Sequence, residues 1–233
     1  MAIEFVNGPV LVVAAHPDDE VLGCGGFISK LTTSGIDVVI KFMSDGESSR
    51  GDQSKEETDR LVATRNLAAL RSSEILGVKK VHFGTFLDNL MDTVPILNIA
   101  REVEKIISDL KPLTVLTHSN SDLNIDHRRT TEAVLIATRP TPSQTVRSVL
   151  TYETPSSTEW NYSAEQLFRP NVFVDVSAYL EKKLLALTEY GSEMREWPHP
   201  RSIDGIKIAM QQRGIAVGRE HVEAFELIRH VII

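Results

Sequence analysis

A single cysteine, Cys24, among 233 residues rules out an internal disulfide framework and suits a reducing compartment. Nowhere do about 18 apolar residues run together, and no basic segment followed by an apolar one opens the chain. The expectation is a soluble, cytoplasmic protein without membrane insertion. Lys and Arg number 25 against 32 Asp and Glu, a formal net charge of -7, and no basic stripe is present, which argues against nucleic acid as a partner. Two enzyme fingerprints are missing as well. Gly23-Cys24-Gly25-Gly26 lies too late after the first strand and lacks the G-x-G-x-x-G spacing of a dinucleotide site, and there is no G-x-S-x-G nucleophile elbow.

What is present is a chain with 42% hydrophobic residues, enough to bury one large core. The run from Val10 to Val13 has no polar alternation, as in a central parallel strand covered on both faces. A helix is expected from about Glu20 to Ser34, a strand over Ile36 to Met43, and a helix over Glu56 to Leu76 closed by Gly77. Val81 to Phe86 reads as the third strand. Ile96, Ile99, Ala100, Val103, Ile106, Ile107 and Leu110 recur at helical spacing. Leu113 to Thr117 reads as the fourth strand and Arg128 to Thr138 as the next helix. Strands over Val146 to Tyr152 and Val172 to Val176, helices over Ala178 to Glu189 and Asp204 to Gln212, and a strand or short helix over Glu223 to Ile233 complete the reading. This alternation predicts a single α/β domain over residues 1–233, Rossmann-like, with a mostly parallel sheet and helices on both faces.

In such a sheet, ligands bind beyond the carboxyl ends of the strands. The polar loops leave those ends: His16 to Glu20, Ser44 to Arg50, Leu87 to Asp92 and Ser119 to His127. The first holds His16-Pro17-Asp18-Asp19-Glu20. Carboxylates at a helix start can serve as caps, but capping needs one acid and no histidine. The assembly therefore reads as a metal site with a general base beside it. The fourth loop adds Asp126-His127, and it is expected to meet His16 and Asp19 in space although about 110 positions away. His16, Asp19 and His127 form the His and carboxylate set of a catalytic zinc site, which leaves a position for water. Iron(II) or cobalt(II) would suit the same ligands.

These residues resemble the PIG-L or LmbE-like N-acetylglucosaminyl deacetylases. The resemblance rests on His16-Pro17-Asp18-Asp19-Glu20, on Asp126-His127-Arg128, and on their order and separation. It extends more weakly through Ser44-Asp45-Gly46-Glu47, Arg65, Phe86 to Asp88, Tyr152-Glu153, Pro200-Arg201-Ser202, Arg213-Gly214 and Glu223-Ala224-Phe225. It implies a Rossmann-like fold, zinc-dependent hydrolysis and an N-acetylated amino-sugar conjugate as substrate. Carried over by position, His16, Asp19 and His127 are the implied metal ligands and Asp18 the implied general base. Zinc so held would lower the pKa of its water toward roughly 7.

One position departs from the resemblance. Many members carry a histidine three residues before the last ligand, where this chain has Asn124. An amide can donate to an oxyanion but cannot deliver a proton near neutral pH. Either Asp18 serves as both base and acid, or His118 or His199 completes the site. Asp126 is expected to orient a ligand imidazole. Arg50, Arg65 and Arg201 are candidates for binding substrate hydroxyls or a phosphate, and Asp88 for accepting from sugar hydroxyls. Trp160, Tyr162 and Trp197 either wall the sugar site or cover the edge of the core, and Cys24 is expected to be a small buried residue. Two alternatives stay open beside the deacetylase: an amidase of the same chemistry on a non-sugar acyl-amine, and a metal- or carbohydrate-binding protein without turnover. The sequence also leaves a homo-oligomer open.

Overall fold

The computed structural model describes residues 6–51, 53–163, 165 and 167–232. The strands are β1 (Val10–Ala14), β2 (Val38–Phe42), β3 (Lys80–His82), β4 (Thr114–His118), β5 (Ser148–Tyr152), β6 (Val172–Asp175) and β7 (Val222–His230). The helices are α1 (Asp19–Thr33), α2 (Lys55–Leu76), α3 (Ile96–Leu110), α4 (Ile125–Ala137), α5 (Leu180–Glu189) and α6 (Ile203–Ile215). All seven strands join one sheet in the order β3-β2-β1-β4-β5-β7-β6. The first five are parallel, and β7 pairs antiparallel with both β5 and β6. The expected α/β architecture is thus present, and the terminal segment that could have been strand or helix is a strand up to His230; Ile233 lies outside the described residues.

The alternating side chains of β1 divide the core in two. Val10, Val12 and Ala14 pack on one face with α1, α2, α5 and α6, through residues such as Phe27, Leu76, Leu187 and Met210. Leu11 and Val13 pack on the other with Ile99, Val103, Ile107 of α3 and Val134 of α4. Both faces of β1 are therefore dry, the reason its sequence shows no polar alternation. From β1 the chain proceeds outward through β2 to β3, then returns to place β4 on the other side of β1. The sheet thus reverses direction between β1 and β4, and the loops that follow these two strands flank the resulting crevice.

Two helices differ from the sequence reading in ways that matter. Helix α4 begins at Ile125 and not Arg128, because the Asn124 side chain caps it, accepting from the backbone N–H of Asp126 at 2.8 Å and of His127 at 3.4 Å. Helix α1 is kinked at Cys24, whose φ of -144° is non-helical. The freed N–H groups of Gly26 and Phe27 donate to Glu223 of β7 at 2.8 and 2.6 Å. Lys183 of α5 answers that carboxylate at 2.7 Å and also donates to the Leu22 carbonyl at 2.9 Å. The glycines of α1 have a packing reason. A Cβ on Gly23 would lie 2.2 Å from the Tyr152 ring.

Candidate metal centre

Asp19 stands at the start of α1 with three imidazoles around one of its oxygens. Its Oδ2 accepts from the His16 backbone N–H at 2.8 Å and lies 3.2 Å from His16 Nδ1, 3.3 Å from His127 Nε2 and 3.5 Å from His118 Nε2. Its Oδ1 is buried without a hydrogen-bond partner. Burial works to raise the Asp19 pKa, yet His127 and His16 hold it well below the usual carboxylate range. The side chain of Asp18, by contrast, makes no cap bond at the helix start. Capping therefore does not account for Asp18.

Three overlapping His and carboxylate triads occur among the described residues: His16, Asp19 and His127; His118, Asp122 and His127; His16, Asp88 and Asp126. Their hydrogen bonds separate them. His118 Nε2 accepts from the Ala15 N–H at 2.8 Å, so its proton sits on Nδ1, 3.1 Å from Thr154 Oγ1. Burial brings its pKa down to about 3, so the ring is neutral and its contact with Asp19 is packing. Both nitrogens are occupied, which disqualifies the second triad. In the third, Asp126 Oδ1 accepts from Met91 N at 3.0 Å and its Oδ2 from Asn89 N at 2.7 Å, while Ser49 donates to Asp88. Asp19, which belongs to the first triad alone, keeps a buried Oδ1 without a partner. Buried polar atoms left unpaired cost about 1–3 kcal/mol each, so the donor set of His16, Asp19 and His127 fits a cation of the kind that takes nitrogen and oxygen ligands.

Carboxylates stand behind both imidazoles of this set. His16 Nε2 lies 3.1 Å from Asp126 Oδ2 and 3.0 Å from Asp88 Oδ1. His127 Nδ1 lies 3.1 Å from Asp122 Oδ1, off the hydrogen-bond line. Asp122 is itself held by Ser157, by Thr158 at 2.7 Å and by the Asn124 N–H at 2.9 Å. Although burial opposes it, the neighbouring His127 brings the Asp122 pKa to about 2, and hydrogen bonding from His16 does the same for Asp88. Such outer partners orient a ligand ring and raise its basicity.

Asp18 points the other way. Its Oδ2 meets Arg201 at 3.0 Å and Arg65 at 3.3 Å, and its backbone φ is 127°, a conformation L-residues rarely adopt. Burial pushes its carboxyl up, while the two guanidiniums pull against that shift. Arg65 also donates to the Pro17 carbonyl at 2.9 Å and pairs with Glu47 and Glu193, each at 3.0 Å. Arg50 pairs with Glu193 at 2.8 Å and Glu47 at 3.2 Å. A cavity of about 200 Å³ lies between this network and the triad, lined by His16, Asp18, Arg50, Asn124, His127 and Arg201 among others.

The expected residues are thus gathered at one site, with some in positions the sequence did not suggest. Arg50, Arg65, Arg201 and Asp88 line the cavity, but each already pairs with protein groups. Asn124 presents its Nδ2 to Asn89 Oδ1 at 3.1 Å. His118 is locked beneath the triad, and His199 is no part of the cavity lining, packing edge-on to Trp160 at 5.6 Å. Trp160, Tyr162 and Trp197 do not line it either and are exposed. Cys24 is buried, its thiol donating to the Glu20 carbonyl and pushed up in pKa by burial. Glu193 and Asp122 went unnoticed in the sequence. Asp122 sits inside the dense fourth loop, which was a usable signal, whereas Glu193 is a lone acid after α5 with no local mark.

The family profile described as PIG-L, GlcNAc-PI de-N-acetylase, matches residues 11–138, the span carrying both loops of the candidate metal centre. Diacetylchitobiose deacetylase of Thermococcus kodakarensis is 34% identical over 80% of this chain and 70% of its own length. The N-acetyl-alpha-D-glucosaminyl L-malate deacetylase 2 assigned as probable in Bacillus anthracis is 27% identical over 79% of this chain and 80% of its own length. Among solved structures, N,N'-diacetylchitobiose deacetylase from Pyrococcus horikoshii shares the fold with a TM-score of 0.74 at 22% identity, covering 94% of this chain and 83% of that one. With the profile covering more than half of the residues and a relative at this identity, the chain belongs to the PIG-L family of deacetylases.

Proposed function

We propose that this protein is a zinc-dependent N-deacetylase that removes the acetyl group from an N-acetylglucosaminyl or related acetamido-sugar conjugate. The observation that carries the reading is the buried triad of His16, Asp19 and His127, in which Asp19 Oδ1 has no partner, set beside a carboxylate, Asp18, that lines the adjoining cavity. Relatives named for diacetylchitobiose and for N-acetylglucosaminyl malate support the substrate class.

His16, Asp19 and His127 would hold the metal, which when bound polarises the acetamide carbonyl and makes a water nucleophilic near neutral pH. Asp126 and Asp122 keep the two imidazoles oriented. Asp18 takes the proton of the attacking water as its oxygen bonds to the acetyl carbon. As the C–N bond breaks, the same carboxyl returns that proton to the nitrogen, so acetate and a free amine leave. Asp18 fills both roles because its neighbours cannot: Asn124 carries no transferable proton, and the His118 proton is committed away from the cavity. Arg65 and Arg201 hold Asp18 in place through both transfers. A cavity of about 200 Å³ accommodates a sugar ring and its acetamide more readily than a long chain.

The test is release of acetate from a panel of N-acetylated sugar conjugates by metal-stripped and zinc-restored protein in parallel. Release that depends on zinc supports the reading. Release only from non-sugar acyl-amines would favour an amidase, and none at all with stoichiometric metal bound would favour a binding protein.

A further inference from the structure

The charges around the cavity carry a statement about the substrate. Arg50 and Arg201 are the guanidiniums that keep an open face, with side chains 38% and 20% exposed, against 5% for Arg65. On sequence alone they would be anion receptors. Both are instead answered from within the protein, and the group that reaches all three arginines is Glu193, buried at 3% exposure. Its Oε2 lies 2.8 Å from Arg50 and 3.7 Å from Arg201, and its Oε1 lies 3.0 Å from Arg65. The cavity lining holds three carboxylates, Asp18, Asp88 and Glu193, against these three guanidiniums, so the arginines present no surplus of positive charge.

An anionic group entering here gains little from arginines already paired with Glu193 and Asp18, and it must compete with those carboxylates at short range, where like charges are costly. Neutral hydroxyls meet no such penalty, and a guanidinium fork paired on one edge still offers N–H groups to them. We propose that Glu193 is a specificity-determining residue that selects neutral acetamido-sugar conjugates and rejects those whose aglycone bears carboxylates. This deepens the deacetylase reading above and rests on it.

The experiment compares kcat/KM of the zinc-loaded enzyme for N,N'-diacetylchitobiose, which is neutral, and N-acetylglucosaminyl malate, which is dianionic. The wild type is expected to prefer the neutral substrate by about tenfold or more. Glu193→Gln should narrow that ratio by roughly tenfold, mainly by lowering KM for the malate conjugate, and Glu193→Asp should retain the preference. A variant that fails to fold leaves the wild type to decide: raising the salt concentration should lower KM for the malate conjugate and leave the neutral substrate unaffected. A wild type that takes the malate conjugate as well as chitobiose overturns the proposal, as does a Gln variant that moves both substrates equally. Absence of acetate from both substrates overturns the deacetylase reading itself, and this proposal with it.

Discussion

Asp18 and Asp19 are neighbours with opposite assignments, and the backbone between them makes that possible. A φ of 127° at Asp18 turns its side chain toward Arg65 and Arg201 while Asp19 faces the imidazoles. Such a conformation costs on the order of 1–3 kcal/mol, which the two ion pairs and the surrounding hydrogen bonds over-determine. The division of labour predicts that Asp18→Asn lowers kcat by about 10²-fold to 10⁴-fold while bound zinc, measured by elemental analysis, stays stoichiometric. Loss of zinc in that variant would reverse the two roles. At this scale the acids and histidines of the first loop were legible in the sequence because so many charged groups next to a dry strand have no local structural use. The locked tautomer of His118 was not legible, since it depends on an N–H donated by Ala15, 103 positions away.

The elements that carry these residues are braced by contacts that look unfavourable in isolation. The kink in α1 exposes N–H groups that Glu223 satisfies, and Lys183 neutralises Glu223 in turn. Lys183→Met would strand a buried carboxylate, and removal of one partner from a buried pair costs about 3–5 kcal/mol. A fall of that size in the free energy of urea unfolding is the expected result, and a change under about 1 kcal/mol would mean that water already reaches the pair. Gly23→Ala should also destabilise, by roughly 1–3 kcal/mol as over-packing, because Tyr152 is fully buried and its ring has nowhere to retreat. A melting temperature equal to the wild type's would contradict that packing. The helix over Ile96–Leu110 was plain from its apolar stripe. The start of α4 was misplaced because Asp and Asn patterns fit several caps, and only the hydrogen bonds of Asn124 distinguish them.

For the whole molecule, the decisive fact is that β4 returns beside β1, so loops separated by more than a hundred residues share one crevice. Among the buried acids and imidazoles collected there, Asp19 keeps an oxygen without a partner that a bound cation would satisfy. Chelation of the metal from the loaded protein is therefore expected to lower the melting temperature, and restoring zinc to recover it, since a ligand that binds only the folded chain stabilises it by mass action. An unchanged melting curve on chelation would place the metal elsewhere or show the triad to be stable empty. The amino-acid sequence by itself determined the alternation of strands and helices, the buried central strand and the candidate ligands His16, Asp19 and His127, because hydrophobic periodicity and dense local clusters of ionisable groups are written within a few residues. Only the tertiary structure decided that Asp122 stands behind His127, that the three arginines are already paired and that Glu193 joins them. Those are through-space distances between segments that leave no mark on one another in the linear chain.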